Sequence, residues 1–462
     1  MLSCLATIKG NGSSNGNDNG NKCNCNNRLR REVSTMGGIQ VVYERCCGLD
    51  IHKRTVVACM IVPVPTSTPA PNGQPPKPQK EIKSFGTMTQ DLLQLSDWLL
   101  TNRVTHVAME STGVFWKPIY NLLEGQFDLL LVNPQHIKAV PGRKTDVRDC
   151  EWIADLLRHG LLAGSFVPDQ GQRELRELTR YRTQLIRERA SEVNRIQKTL
   201  EGANIKLASV ATDITGVSGR QILSALIGGE TDTRLMAHLA KGRMREKIPQ
   251  LEAALKGRFG GHQRFMLAHQ LAHIDFMDAS IEELNQQIEE RMAPFQWALD
   301  LLVTIRGVGQ RTAEVIIAEI GVDMERFPTS RHLASWAGMC PGNHESAGKR
   351  KSGRTRKGNV WLRTALVEAA QAAGRCKGSK ESYLSAQYRR IARSGGSNKA
   401  AVAVGHSILV IAYEMLKHQT TYNDLGNGYF DERDRQAKER RLIQRLERLG
   451  YRVSLEPIPS AA

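Results

Sequence analysis

Between residues 38 and 165, short apolar runs alternate with amphipathic stretches, and acids close two of those runs. Val41 to Val62 (VVYERCCGLDIHKRTVVACMIV) has β-branched apolar ends around a polar turn, the pattern of a hairpin. Asp50 closes its first apolar run. Pro63 to Lys80 is Pro-rich and reads as an exposed loop. Asp91 to Leu100 predicts a helix, and His106 to Ser111 (HVAMES) a short buried strand ending on Glu110. Phe115 to Leu123 predicts a helix, Asp128 to Val132 a further strand, and Asn133-Pro134 its close. Asp146 to Leu162 predicts a last helix with Ile153, Leu156, Leu157 and Leu161 on one stripe. Strands alternating with helices describe an α/β domain over residues 38–165.

The acids of this domain have a pattern. Asp50 and Glu110 lie at the ends of two apolar strands. Asp146 and Asp149 are spaced i, i+3, which places both on one helix face. Four carboxylates at one sheet edge repel each other unless cations sit among them. Oxygen-only ligands at that density suit Mg²⁺, which can serve phosphoryl transfer through a two-metal arrangement. Any one of the four alone is as well explained by a cap or a solvated position, and Asp149 with Glu151 by an acidic helix start. The four together, in the order strand, strand, helix, are much more specific. His52 and Lys53 beside Asp50 either orient such a site or are exposed turn residues.

The rest of the chain is mainly helical. Residues 1–37 are rich in Asn, Gly and Ser, lack apolar periodicity and predict a disordered tail. Met36 is a candidate start within it. Gln172 to Leu200 predicts a long charged helix with Leu175, Leu178, Tyr181, Leu185, Ala190, Val193, Ile196 and Leu200 on a near-heptad stripe. His269 to Met292 mirrors it, so residues 166–300 predict an antiparallel helical pair or coiled-coil arm, or a plain bundle. Ile214 to Ile227 and Ile305 to Ile320 each place a Gly turn ahead of an amphipathic helix. The second, with Gly307 and Gly309 framing Val308, is the better match to a helix–hairpin–helix element that offers backbone N–H groups to a phosphate. A plain connection between helices accounts for the same pattern. Residues 301–420 form a mainly α C-terminal domain, with helices over Val360 to Ala373, Tyr383 to Ile391 and Lys399 to Leu416. Residues 421–462 form a charged tail.

Into that domain is set Asn343 to Arg363, NHESAGKRKSGRTRKGNVWLR. It holds seven Lys or Arg, one acid and two serines. It is too polar for a core, so it either lies on a phosphate backbone or does chemistry beside one. The whole chain of 462 residues carries 64 basic against 47 acidic residues, a net charge of +17 that favours a polyanion as partner. No run of about 18 apolar residues points to a membrane span, and no charged start leads into an apolar signal segment. The nine cysteines are odd in number and hold no paired CxxC motifs, which fits a reducing cytoplasm better than disulfides or zinc.

The motifs Gly48 to Lys53 (GLDIHK), Met109 to Gly113 (MESTG) and Lys144 to Asp149 (KTDVRD) resemble the three acidic motifs of the DEDD transposases of insertion sequence family 110. Ile305 to Thr312, Arg326-Phe327, Trp336 to Gly338, Glu345 to Gly348, Lys357 to Asn359 and Leu362-Arg363 resemble that family's C-terminal transposase domain. The Ser-Ala-Gly and Lys-Ser-Gly pair is similar to its 1111 subgroup. The likeness spans about residues 38–420 and departs at the tail and at the Pro-rich insert.

The resemblance implies a RuvC-like, ribonuclease H-like N-terminal domain in which Asp50, Glu110, Asp146 and Asp149 bind Mg²⁺. It implies a catalytic serine, which falls on Ser346 by its distance from Pro341, with Ser352 as the internal competitor. It further implies a structured noncoding RNA that guides the enzyme to DNA, and a homodimer or tetramer whose active sites combine acids and serine of different chains. Cytoplasmic, nucleoid-associated work in a bacterium follows. Lys349, Arg350 and Lys351 would stabilise charge at the phosphate, and Arg354, Arg356, Lys357 and Arg363 would contact backbone phosphates. Two rivals stand: a hydrolytic RuvC-type nuclease of the junction-resolvase kind, and an inactive nucleic-acid-binding scaffold.

Overall fold

The computed structural model describes residues 40–64, 78–111, 113–134, 149–342, 344–346, 349–378, 381–433 and 435–454, with residues 344–346 and 349–352 described by their backbone. Expectations for residues 1–37, most of the Pro-rich insert and Asp146 lie outside them. The chain divides into two compact units between Val167 and Pro168.

The first unit is a five-stranded sheet in the order β3-β2-β1-β4-β5. Its strands are β1 (Cys46–Ile51), β2 (Thr55–Val62), β3 (Gln79–Gly86), β4 (His106–Glu110) and β5 (Asp128–Val132). β2 runs antiparallel to both β1 and β3, whereas β1, β4 and β5 are parallel. Because strand side chains alternate between faces, the sheet buries two cores. Cys47, Leu49, Ile51 and Met109 pack with Leu92, Leu95 and Leu99 of α1 (Thr89–Thr101) and Ile119 and Leu123 of α2 (Trp116–Leu123). Cys46, Cys59, Ala108 and Val132 pack on the other face with Cys150, Ile153, Ala154 and Leu157 of α3 (Asp149–Arg158).

The sequence put residues 79 and 80 in a loop, yet both belong to β3. Its QKEIKSFG pattern is polar because an edge strand pairs on one side only, and charged side chains there oppose pairing with other chains. Lys80 reaches across to Asp155, with Nζ 2.7 Å from Oδ2.

The second unit begins with α4 (Gln170–Gly202), capped by Asp169, whose side chain accepts the Gln172 N–H. The small helix α5 (Val217–Ile227) and the long α6 (Gly261–Met292) follow. α4 and α6 form an antiparallel pair. Glu174 meets Arg291, Arg182 meets Asn285 at 3.1 Å, Arg189 meets Asp278, and Thr199 meets Gln270 at 3.1 Å. The buried seam differs from the apolar stripe read from the sequence. Leu175, Leu185, Ile196 and Leu200 are buried, but Tyr181 is 54% exposed and Ala190 is exposed. Thr179, Arg182 and Glu192 take the intervening buried positions. Polar residues can occupy a seam when partners satisfy them, and here Thr179 donates to the Leu175 carbonyl of its own helix, Glu192 meets Arg195 of α4 and His273 of α6, and Arg182 meets Asn285 of α6. Beyond the far end of the pair, residues 203–259 fold into a cap whose core includes Leu207, Ile222, Leu226, Met236 and Leu251.

The C-terminal helices are α7 (Gln310–Ile320), α8 (Ser330–Trp336), α9 (Val360–Arg375), α10 (Tyr383–Gly395) and α11 (Ser397–His418). Between α8 and α9 stand two short strands, β6 (His344–Ser346) and β7 (Lys349–Ser352), paired antiparallel. α12 (Arg435–Glu447) follows the bundle. Among the described residues α11 is the one helix long and apolar enough, by length and composition, to cross a membrane. Gly405, His406 and Ser407 interrupt its apolar run and hide it in the sequence. Val404, Ile408, Ala412 and Leu416 are buried, and the Tyr413 hydroxyl donates to the Phe327 carbonyl at 2.8 Å, the behaviour of a core helix.

Candidate active site

In the first unit, Asp50 and Glu110 are brought together by strand register. Leu49 of β1 pairs with Met109 of the parallel β4, so the next residues, Asp50 and Glu110, are neighbours at the carboxyl ends of adjacent strands. Both are half-buried. Alternation puts them on the face covered by α3, opposite to Leu49 and Met109. Gly48 explains how α3 comes so close. A Cβ at this residue would lie within 3.0 Å of the Ala154 N and the Cys150 carbonyl, so strand and helix touch backbone to backbone. Asp149, the first residue of α3 and exposed, is thereby set beside the end of β1. The proximity is felt electrostatically. Burial pushes the Cys150 thiol above its usual range, and the charges of Glu151 and Asp50 push it further. His52 stands 3.2 Å from Asp50, Nε2 to Oδ2.

Asp50, Glu110 and Asp149 offer hard oxygen donors, which is the chemistry a Mg²⁺ site requires. Among the described residues, no three acids, histidines or cysteines converge closely enough to hold an ion on their own. Asp146, expected as the fourth donor, lies outside the described residues.

In the second unit, the described residues between 338 and 358 form a ribbon closed at its base. Gly338 and Gly358 are in backbone contact there. Pro341 bridges Thr355, and the Gly342 N–H donates to the Arg354 carbonyl at 2.9 Å. Further out, β6 and β7 pair His344 with Ser352, Glu345 with Arg350 and Ser346 with Lys349. Ser346 is therefore in the last pair before the connection, and Ser352 lies nearer the base. Lys349, Arg350 and Lys351 follow on the returning strand. Arg354, Arg356 and Lys357 are exposed at the base, and Arg363 is half-buried on α9.

Gly307 and Gly309 part company. Gly307, at φ +91°, packs against α9, where a Cβ would meet the Ala369 carbonyl and Ala373. Close helix packing thus accounts for Gly307. Gly309 is exposed at the start of α7 with open space around it.

The sequence reading missed a buried polar cluster beneath the ribbon. Glu319 of α7, fully buried, accepts from Arg180 Nε at 2.7 Å and Nη2 at 2.8 Å, and from Asn359 Nδ2 at 2.6 Å. Arg176 Nε lies 3.4 Å from the same carboxylate. The available signal was an acid inside the apolar run VIIAEI, which must find cations if it is buried.

Comparison with known proteins adds to this geometry. Residues 47–205 match a family model for DEDD proteins of the IS110 type, described as Transposase. Residues 299–385 match one described as Transposase IS116/IS110/IS902 family. A probable family 20 transposase of Pseudomonas aeruginosa is 25% identical over 318 residues, 68% of this chain and 85% of its own length. The transposase for insertion sequence element IS1111A of Coxiella burnetii is 24% identical, over 63% of this chain and 72% of its own. A pilin gene-inverting protein of Moraxella lacunata is 27% identical over 31% of this chain and 45% of its own.

Proposed function

The chain belongs to the IS116/IS110/IS902 family of transposases, enzymes of insertion-sequence transposition, and from that premise we propose that it cuts and exchanges DNA strands with Ser346 as nucleophile. The carboxylates Asp50, Glu110, Asp146 and Asp149 would hold Mg²⁺, whose charge would supply electrostatic stabilisation of the scissile phosphate. The observation that carries the reading is the register that sets Asp50 beside Glu110 on the α3 face of the sheet.

A serine hydroxyl is a weak nucleophile unless it is activated. Ser346, in the last backbone pair of the ribbon and close in sequence to Lys349, Arg350 and Lys351, would be the group that reaches a bound strand. Its oxygen would attack phosphorus and release its proton, and the departing strand's oxygen would take one up and leave as a hydroxyl. One phosphoester bond breaks and one forms, leaving a phosphoserine. The incoming strand's hydroxyl would then reverse the exchange and free the serine, so no external energy source is required. Lys349, Arg350 and Lys351 would balance the added charge in the transition state. Arg354, Arg356, Lys357 and Arg363 would grip backbone phosphates without reading sequence. Sequence choice would come from a structured noncoding RNA, and acids and serine would meet between subunits of a homodimer or tetramer. The helix–hairpin–helix role narrows to Gly309 as a backbone phosphate contact.

The test is a DNA substrate bearing an element end, incubated with purified protein and Mg²⁺ with and without the flanking noncoding transcript. A covalent protein–DNA product that vanishes in Ser346→Ala, persists in Ser352→Ala and vanishes in Asp146→Asn would support the proposal. Cleavage of unchanged rate by Ser346→Ala would assign the chemistry to water and the acids alone. Undiminished recombination in Asp146→Asn would leave the chain a binding scaffold.

A further inference from the structure

The ribbon has two attachments at its exit, and the second reaches the long helix. Gly358 closes the base against Gly338, and the next residue, Asn359, has two partners at once. Its Oδ1 accepts the N–H groups of Trp361 at 3.1 Å and Leu362 at 3.0 Å, capping α9. Its Nδ2 donates to Glu319 at 2.6 Å. Asp would cap the helix equally well but has no hydrogen to give the acid. Glu319 in turn is held by the fork of Arg180, at 2.7 and 2.8 Å, and by Arg176, which also donates to the Ala318 carbonyl at 3.0 Å and to the Glu319 carbonyl. The guanidinium groups of Arg180 and Arg187, both on α4, lie 6.0 and 5.5 Å from the ring of Trp361.

The cluster joins α4 to the residues that follow the ribbon, through Glu319 of α7 and directly through the ring of Trp361. A carboxylate fully removed from water is costly unless cations and donors satisfy it, so the cluster forms as a unit or not at all. Helix capping alone does not require Glu319, and core packing alone favours an apolar residue there. We infer that Glu319 and Asn359 are positioning residues that register the Ser346 ribbon on the long helix α4. The functional side of this inference rests on Ser346 being the nucleophile, as proposed above.

Three variants of the full-length chain test it: Asn359→Asp, Glu319→Gln, and the two combined. Asn359→Asp keeps the cap but sets a second carboxylate against Glu319. Glu319→Gln removes the negative charge that the Arg180 fork and Arg176 face in the cluster. The combined variant restores one negative charge and one amide donor in exchanged places. Two readouts are taken, amide hydrogen exchange over residues 342–358 without DNA, and single-turnover strand cleavage at saturating DNA.

Each single variant is expected to speed exchange at the ribbon base and to slow cleavage by about tenfold or more, with DNA affinity unchanged within about twofold. The combined variant is expected to recover both. Unchanged exchange in Asn359→Asp, or no recovery in a combined variant that melts as the parent does, overturns the inference. Exchange that moves and recovers while Ser346→Ala still cleaves as the parent upholds the positioning of the ribbon and removes the nucleophile.

Discussion

Gly338 and Gly358 meet backbone to backbone. A Cβ on Gly338, which sits at φ +68°, would lie 2.8 Å from both the Cα and the N of Gly358. A Cβ on Gly358 would come within 3.0 Å of the Gly338 N and the Ala337 carbonyl carbon. Neither neighbour is the yielding tip of a side chain, so any side chain at either position must push the two strands of the ribbon base apart. Gly358→Ala is expected to lower stability by about 1–3 kcal/mol and to slow strand cleavage even where the protein remains folded. Gly428→Ala, in open space on the surface, serves as control and is expected to stay within about 0.5 kcal/mol. Thermal melts read beside cleavage rates decide the matter, and equal melts for the two variants would refute the clasp.

Gly48 plays the same part in the N-terminal unit. Its contact with the backbone of Cys150 and Ala154 sets how closely α3 crosses β1, and hence how near Asp149 comes to Asp50. Gly48→Ala is expected to cost about 1–3 kcal/mol by overpacking and to raise the divalent-ion concentration needed for half-maximal cleavage. A variant that loses stability but keeps the parent's ion requirement would show that α3 moves without disturbing the acids.

Much of this arrangement is legible in the sequence, for local reasons. Asp50 and Glu110 stand out because each ends a short apolar run, and parallel pairing of those two strands converts two sequence positions into neighbours. The long helices announce themselves by length. The clasp and the Glu319 cluster do not, because they depend on pairs far apart in the chain, Arg180 and Glu319 being 139 residues apart. The seam of α4 misleads for a related reason. Tyr181 looks like a core residue and Arg182 a surface one, until Glu314 of α7 and Asn285 of α6 supply Arg182 with buried partners. Strand β3 escapes notice since an edge strand needs little apolar patterning.

Arg182 and Glu314 offer a test of that seam. Their side chains are 3% and 6% exposed, with Nη2 and Oε2 2.6 Å apart. Arg182→Met would strand the Glu314 carboxylate, at a cost of about 3–5 kcal/mol. Arg182→Met combined with Glu314→Met removes both charges and fills similar volume, and is expected to recover most of that loss or exceed the parent. Denaturant unfolding of the parent, both single variants and the pair completes the cycle. Additive losses would mean that the two side chains do not depend on each other.

The cysteines of the first unit predict its behaviour in alkali. Burial pushes the thiols of Cys46 and Cys59 up to about 12 from an ordinary value of 9.0, and Cys47 rises well above that value for the same reason. The folded state therefore keeps protons that the unfolded state releases. For an acid whose folded value is raised, the stability present below the unfolded value is lost as pH climbs toward the folded one. The window here opens near pH 9, and each such thiol steepens the loss by about 1.4 kcal/mol per pH unit. Urea unfolding at pH 7.5, 9 and 10, followed by a probe confined to the first unit, should show this decline. Replacing Cys59 by Ala should make the decline shallower by one thiol's share, while its cost at pH 7.5 reflects lost packing alone. Parallel curves for parent and variant between pH 9 and 10 would mean that the Cys59 thiol ionises as readily in the folded chain as in the unfolded one.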